Sequence, residues 1–112
     1  MNFFASWCRD CQAELANFAA IDSSHLPSIR VIGVDTNDTN TSDAQRLLAA
    51  AHGTYPVGVD ANASVATEYL LNALPVTFYI SPQGRVVHVG VGAQSVASLR
   101  HWTTALSAGA VG

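Results

Sequence analysis

The chain has no lysine, and charged residues of all kinds occupy only 12% of its 112 positions. Its five arginines, Arg9, Arg30, Arg46, Arg85 and Arg100, stand singly along the sequence. Nucleic-acid surfaces need cations gathered on one face, so a nucleic-acid partner is excluded. No apolar run approaches the ~20 residues of a membrane-spanning helix. With two cysteines there can be no multi-bridge disulfide framework, and such a pair does not fix the redox compartment. The four histidines, His25, His52, His88 and His101, show no paired ligand spacing, so neither a metal nor any other bound cofactor is expected. Hydrophobic residues make up 49% of the chain, which excludes disorder and supplies one core for one domain, residues 1–112.

What the chain does have is concentrated in its first dozen residues. Cys8 and Cys11 sit three apart, directly after the apolar run Phe3-Phe4-Ala5 and at the head of a helix-forming stretch. A dithiol so spaced can close into a small ring and reopen by thiolate exchange. At a helix N-terminus, unpaired backbone N–H groups and the macrodipole favour a thiolate on the first sulfur. An inert structural disulfide and half a zinc site are the competing readings.

The run Phe3 to Ala5 has the pattern of a strand buried on both faces. Met1 falls inside that strand, so a truncated N-terminus is expected, with any targeting segment upstream of it. Cys11 to Ile21 reads as a helix with Leu15, Phe18, Ala19 and Ile21 inward, and Asp22 to Pro27 breaks it. Ile29 to Asp35 reads as a strand and Thr36 to Thr41 as a loop. Ser42-Asp43-Ala44-Gln45 has capping-box spacing ahead of a helix that Gly53 stops. Tyr55 to Asp60 is extended, and Ala63 to Tyr69 is a short helix with Val65 and Tyr69 on one face. Val76 to Ile80, the turn Ser81-Pro82-Gln83-Gly84 and Arg85 to Val91 make a hairpin. Ser95 to Ala108 closes the chain as a helix, with Val96, Leu99, Trp102 and Leu106 inward. The expected fold is α/β: a central mixed β-sheet flanked by helices, with the dithiol at the carboxyl end of the first strand.

The segment Phe3-Phe4-Ala5-Ser6-Trp7-Cys8-Arg9-Asp10-Cys11-Gln12-Ala13-Glu14 resembles the active-site segment of thioredoxin-fold proteins of the TlpA/ResA-like group, related to the AhpC/TSA redoxins. Ala73-Leu74-Pro75-Val76-Thr77-Phe78 resembles the group's cis-proline loop, and Ser81 to Val87 its hairpin. The unit from Ser42 to Asp60 is similar to its central helix–strand insert. Three features depart from the usual pattern: Arg9-Asp10 between the cysteines, Ala16 in place of a helix-kinking proline, and Asn2 where thioredoxins bury an Asp.

The resemblance implies a thiol–disulfide oxidoreductase, a reductase that exchanges electrons with protein disulfides and is reset by an upstream electron donor. Cys8 is then the nucleophile and Cys11 the resolving thiol. Trp7, Leu74 and Pro75 contact the substrate, and Asp38 is a candidate proton relay for Cys11, with Asp35 competing for that role. Glu14 reads as a solvated or locally paired charge. The group mostly works outside the cytoplasm, often tethered, on clients such as apocytochromes. An extracytoplasmic monomer without a bound cofactor is therefore expected. The same residues would serve a disulfide oxidant or isomerase, and a non-catalytic binding module is the reading from another class.

Overall fold

The computed structural model describes residues 1–24 and 29–107. Five strands form one sheet: β1 (Asn2–Phe4), β2 (Gly33–Thr36), β3 (Val57–Asp60), β4 (Val76–Ile80) and β5 (Val86–Val91). Their order across the sheet is β3-β2-β1-β4-β5. The three strands on the β3 side run parallel, and β4 and β5 are antiparallel additions, so the sheet is mixed as expected. Four helices intervene: α1 (Arg9–Ser23), α2 (Thr41–Ala50), α3 (Ser64–Glu68) and α4 (Val96–Ser107). None of the described helices is long and apolar enough to cross a membrane.

β1 lies in the middle of the sheet, pairing Asn2 with Gly33 on one side and with Thr77 on the other. Both faces of so central a strand must be covered, which is why all three of its residues are apolar or hydrogen-bonded. Successive side chains point to opposite faces. Phe4 joins the cluster beneath α1 and α2, with Leu15 and Ala44. Phe3 packs on the other face with Ala66 of α3, Val76 and Phe78. There Tyr69 completes an aromatic group, with ring centroids 5.2 Å from Phe3 and 4.9 Å from Phe78. A third cluster joins Phe18 and Ile21 of α1 to Leu99 of α4 and Tyr79 of β4. Helices thus cover both faces. Gly33 is required where β2 meets its neighbours, because a Cβ there would lie 3.0 Å from Val57 and 3.2 Å from Phe4.

Four details depart from the sequence-based expectation. The second strand is Gly33–Thr36, shorter than Ile29 to Asp35, because a strand needs a ladder partner. Among the described residues, the backbone bond here is Asn2 N–H to the Ile32 carbonyl. The second helix starts earlier than the capping box suggested: Asn40 is the N-cap and accepts from Asp43 N–H at 3.1 Å. Asn is as good a cap as Ser, and Asp38 holds the Asn40 N–H, fixing it in place. Third, α1 begins at Arg9, so Cys8 itself is the N-cap. Finally, Val65 is 40% exposed while Ala66 is buried. Ala63 adopts a left-handed conformation (φ 60°), which delays and rotates the start of α3. His25, Leu26 and Pro27 of the expected break and Ala108 at the end of the last helix lie outside the described residues.

α3 has only five residues and no side-chain cap from Ala63. Asp60, at the end of β3, does that work. Its carboxylate accepts from Val65 N–H and Ala66 N–H at 3.0 Å each, and from the hydroxyls of Thr36 (2.8 Å) and Ser64 (3.3 Å). Replacing it leaves buried donors without acceptors. Asp60→Ala is expected to cost about 2–4 kcal/mol in urea unfolding. A loss within experimental error would show that water replaces the carboxylate at no cost.

Candidate active site

The sheet delivers the chain from Phe4 into a three-residue turn, Ala5-Ser6-Trp7, that carries Cys8 onto the N-cap of α1. Cys8 and Cys11 form a disulfide with Cα atoms 5.2 Å apart. The Cys8 sulfur also accepts the Cys11 N–H at 3.2 Å. The two cysteines differ in environment: Cys8 keeps 8% of its surface exposed and Cys11 none.

The turn is pinned by a loop from the neighbouring strand. Asp38 accepts from Ser6 N–H at 2.7 Å and from the Ser6 hydroxyl at 2.9 Å. The Trp7 indole N–H donates to the Asn37 carbonyl at 3.0 Å, while Gln12 Nε2 donates to the Ser6 carbonyl at 2.9 Å. Trp7 is therefore a fixed side chain although 60% exposed. Opposite, the Leu74–Pro75 peptide is cis. Leu74 packs against the cluster that contains both cysteines, and Gly92 N–H donates to the Pro75 carbonyl at 2.9 Å. Trp7 thus adjoins Cys8 in the chain, and Leu74, followed by Pro75, packs on the cluster that holds both cysteines.

Three carboxyl groups lie close behind. Glu14 is fully buried and held by distant neutral partners, contrary to the solvated or locally paired charge expected from the sequence. It follows Cys11 by one helical turn and lies on the same stripe as Leu15 and Phe18, so the signal was a charge within the apolar period. Its Oε1 accepts from Asn2 Nδ2 at 2.7 Å and its Oε2 from Gln94 N–H at 2.8 Å. Gln94 in turn accepts from the Tyr79 hydroxyl at 3.0 Å and from Asn17 Nδ2, through its carbonyl, at 3.0 Å. Sequence reasoning passed over Gln94. Burial raises Glu14 to about 7, with the two hydrogen bonds opposing the rise and Asp10 adding to it. Asn2 Oδ1 is buried without a partner, an acceptor one amide rotation away from a proton on Glu14.

Asp35 and Asp38 are coupled. Burial, then the hydrogen bond and charge of Asp38, raise Asp35 to about 7. For Asp38, burial also pushes upward, but hydrogen bonds from Asp35, Ser6 and Asn40 outweigh it and hold the carboxyl below its ordinary range. Asp38, the candidate relay, is thus tied down as an ionised acceptor, and Asp35 is the member that holds a proton. Asp35 Oδ1 has no partner and lines a 50 Å³ cavity with Phe4 and Ala44, both of which also pack in the cluster holding Cys11. A larger cavity of about 500 Å³ lies at the far end of β1, between Met1, Phe18 and Leu99, and no cysteine lines it.

The model of the AhpC/TSA family matches residues 1–89. The chain belongs to the AhpC/TSA family. Within its curated relatives, the chain is 27% identical over 107 residues to sporulation thiol-disulfide oxidoreductase A of Bacillus subtilis, covering 92% of this chain and 64% of that protein. It is 28% identical over 110 residues to thiol-disulfide oxidoreductase ResA of the same organism, covering 97% and 61%. The chain therefore spans less than two thirds of the length of these relatives. Among solved structures it superposes on MTB dsbF with a TM-score of 0.83 at 27% identity, covering 94% of this chain and 77% of that one. The family's thioredoxin-like fold is the fold of this chain.

The buried acid has a measurable consequence. Glu14 titrates near 4.5 when unfolded and about 7 when folded, so the folded state keeps a proton that the unfolded state has released. Its contribution to stability is full below pH 4.5 and is lost as pH rises through 7, and Asp35 acts in the same direction. The oxidised protein is expected to lose stability between pH 5 and pH 8, with Glu14 supplying on the order of 1–3 kcal/mol. Glu14→Gln should remove that part of the slope in urea unfolding. Equal slopes in the two proteins would contradict a buried, protonated Glu14.

Proposed function

We propose that this chain is a thiol–disulfide oxidoreductase that reduces protein disulfides. The observation that carries the reading is the contrast at the dithiol: the Cys8 sulfur sits on a helix N-cap, accepting a backbone N–H, while Cys11 is sealed beneath it. In the reduced protein the N-cap donors favour a thiolate at Cys8. That thiolate attacks a client disulfide, forming a Cys8–client bond and expelling the client's other sulfur as a thiolate. Cys11 then loses its proton and attacks the Cys8 sulfur, which expels the second client thiolate and closes the Cys8–Cys11 disulfide. The client gains two electrons, and an upstream dithiol donor returns them to this chain.

The resolving step needs a base near Cys11. The Asp35–Asp38 pair is suited to it: Asp38 is anchored on the turn, and Asp35 packs behind Phe4 and Ala44 of the cluster that holds Cys11 and exchanges the proton. Asp38 enters this relay through its hydrogen bond to Asp35. No bound cofactor takes part. Trp7, Leu74 and Pro75 form the surface on which the client lies. The resemblance to the TlpA/ResA-like group supports an extracytoplasmic site of action.

The redox equilibrium of Cys8–Cys11 in graded thiol buffer tests the reading. A potential near about −270 mV supports a reductase, whereas one near about −120 mV makes the chain an oxidant. Cys8→Ser should abolish turnover, and Cys11→Ser should accumulate the mixed disulfide with a client, visible by mass. Asp35→Asn is expected to slow release of the mixed disulfide by roughly 10²-fold and to flatten its pH profile near neutrality. An unchanged profile would remove Asp35 from the mechanism.

A further inference from the structure

Gln94 stands in the link between β5 and α4, and every polar group it carries is engaged. Its N–H donates to Glu14 Oε2 and its carbonyl accepts from Asn17 Nδ2, so it meets α1 at two points. Its side-chain Oε1 accepts from the Tyr79 hydroxyl, and its Nε2 donates to the Gly92 carbonyl at 3.1 Å. That last bond fills a gap in the sheet. β4 pairs Val76 with Val91 of β5, so the next rung sets Pro75 against Gly92. In such an antiparallel rung each residue gives one N–H and takes one. Gly92 N–H does reach the Pro75 carbonyl at 2.9 Å, but proline has no N–H to return. The Gly92 carbonyl takes the Gln94 amide in its place. We propose that Gln94 is a positioning residue for the exchange reaction: it completes the rung that Pro75 cannot, and so ties the Leu74–Pro75 segment to α1, which carries the dithiol at its start. The inference rests on the oxidoreductase reading above and adds to it a residue that acts through the client-facing segment.

Three further observations carry it. The amide has one workable orientation: a backbone carbonyl only accepts, so Nε2 must face Gly92 and Oε1 the Tyr79 hydroxyl. Two glycines make room for it. A Cβ at Gly90 would lie 2.5 Å from Cδ, Oε1 and Nε2 of Gln94, so the side chain lies directly on the bare backbone of β5. Gly92 takes φ 86°, a conformation that glycine adopts without steric cost, and there the chain bends so that residue 94 reaches back to residue 92. Finally, the network closes on itself. Glu14 Oε1 accepts from Asn2 Nδ2 in the central strand, and Asn2 Nδ2 also donates to the Thr77 hydroxyl, two residues after Pro75. Asn2, Glu14, Gln94 and Gly92 thus form a hydrogen-bonded route from β1 to the Pro75 carbonyl, and β4 completes the ring. Linked bonds of this kind reinforce one another.

The test compares Gln94→Met and Gln94→Glu with wild type on a disulfide peptide, with hydroxyethyl disulfide as a small reference. Gln94→Met keeps the length of the side chain and removes its donor. It should raise KM for the peptide by roughly tenfold, with a smaller change in kcat and a smaller change for the reference. In Gln94→Glu the donor returns only when the new carboxyl is protonated. Its peptide KM should therefore approach that of wild type at about pH 4.5 and that of Gln94→Met at about pH 8. The titratable groups bonded to residue 94, Glu14 and Tyr79, are the same in both variants, so the ratio of Gln94→Met to wild type should stay level with pH. A role confined to holding the fold would change peptide and reference alike and would overturn the proposal. So would a peptide KM within twofold of wild type in Gln94→Met, or a Gln94→Glu ratio that ignores pH. Hydrogen exchange on the wild type reads the bond without any variant. The Gln94 side-chain amide should exchange more slowly than that of exposed Gln83, and equal rates would overturn the proposal even if the variants failed to fold. In each of these cases a wild type that reduces the reference keeps the redox reading. Failure of the wild type to reduce even that disulfide would bring down the oxidoreductase reading itself.

Discussion

The turn from β1 into α1 is held by one carboxylate, and the geometry of the dithiol depends on it. A strand that leaves the centre of a sheet at once exposes backbone donors that need new acceptors. Asp38 supplies them for Ser6, through both the N–H and the hydroxyl, and for Asn40 on its own loop. Because Asp38 lies two residues past the end of β2, its reach is set by the register that pairs Phe4 with Asp35. A one-residue slip would reverse which face each side chain occupies and separate the partners. The position of Cys8 is therefore a consequence of strand pairing well before it is a property of the cysteine motif.

Few charges are available to this chain, and it uses them inside. Of its eight acidic residues, Glu14, Asp35, Asp38 and Asp60 are buried. Each meets the cost of burial differently. Asp38 and Asp60 collect enough donors to remain ionised. Glu14 and Asp35 hold their protons up to about pH 7, because desolvation outweighs the bonds they receive. The result places two fixed anions and two titrating acids around the carboxyl ends of β1 to β3 and the first turns of α1. By contrast the surface pair, Arg46 with Asp43, spans one turn of α2 in solvent and contributes little.

The sequence made the frame of the site legible because its signals are local. An apolar triplet, a dithiol before a helix and a Ser-Pro-Gln-Gly turn each state their geometry within a few residues. The four-residue strand β2 was less legible, since Ile29 to Ile32 have strand composition but only the Ile32 carbonyl, bonded to Asn2 N–H, meets the sheet among the described residues. Val65 was misassigned because a left-handed alanine, which composition does not announce, turned the helix by about one position. The acids were hardest. Glu14 stood openly on the apolar stripe of α1, yet its partners Asn2 and Gln94 lie 12 and 80 residues away. The division of labour between Asp35 and Asp38 turns on Ser6, 32 residues away from Asp38. Contacts of that range leave no periodicity to read.

The opposed charges between the cysteines illustrate how burial ranks competing effects. From the sequence, Arg9 favours a thiolate on Cys8 and Asp10 disfavours it, and neither prevails. In the structure both side chains are exposed, where salt and water screen them. The N-cap donor at 3.2 Å and the enclosure of Cys11 are not screened in that way. Helix-terminal effects reach about 2 kcal/mol in partly buried settings, against a few tenths for exposed charges. The asymmetry between the two sulfurs is therefore built mainly by where the backbone puts them. Arg9 and Asp10 are left to adjust the balance.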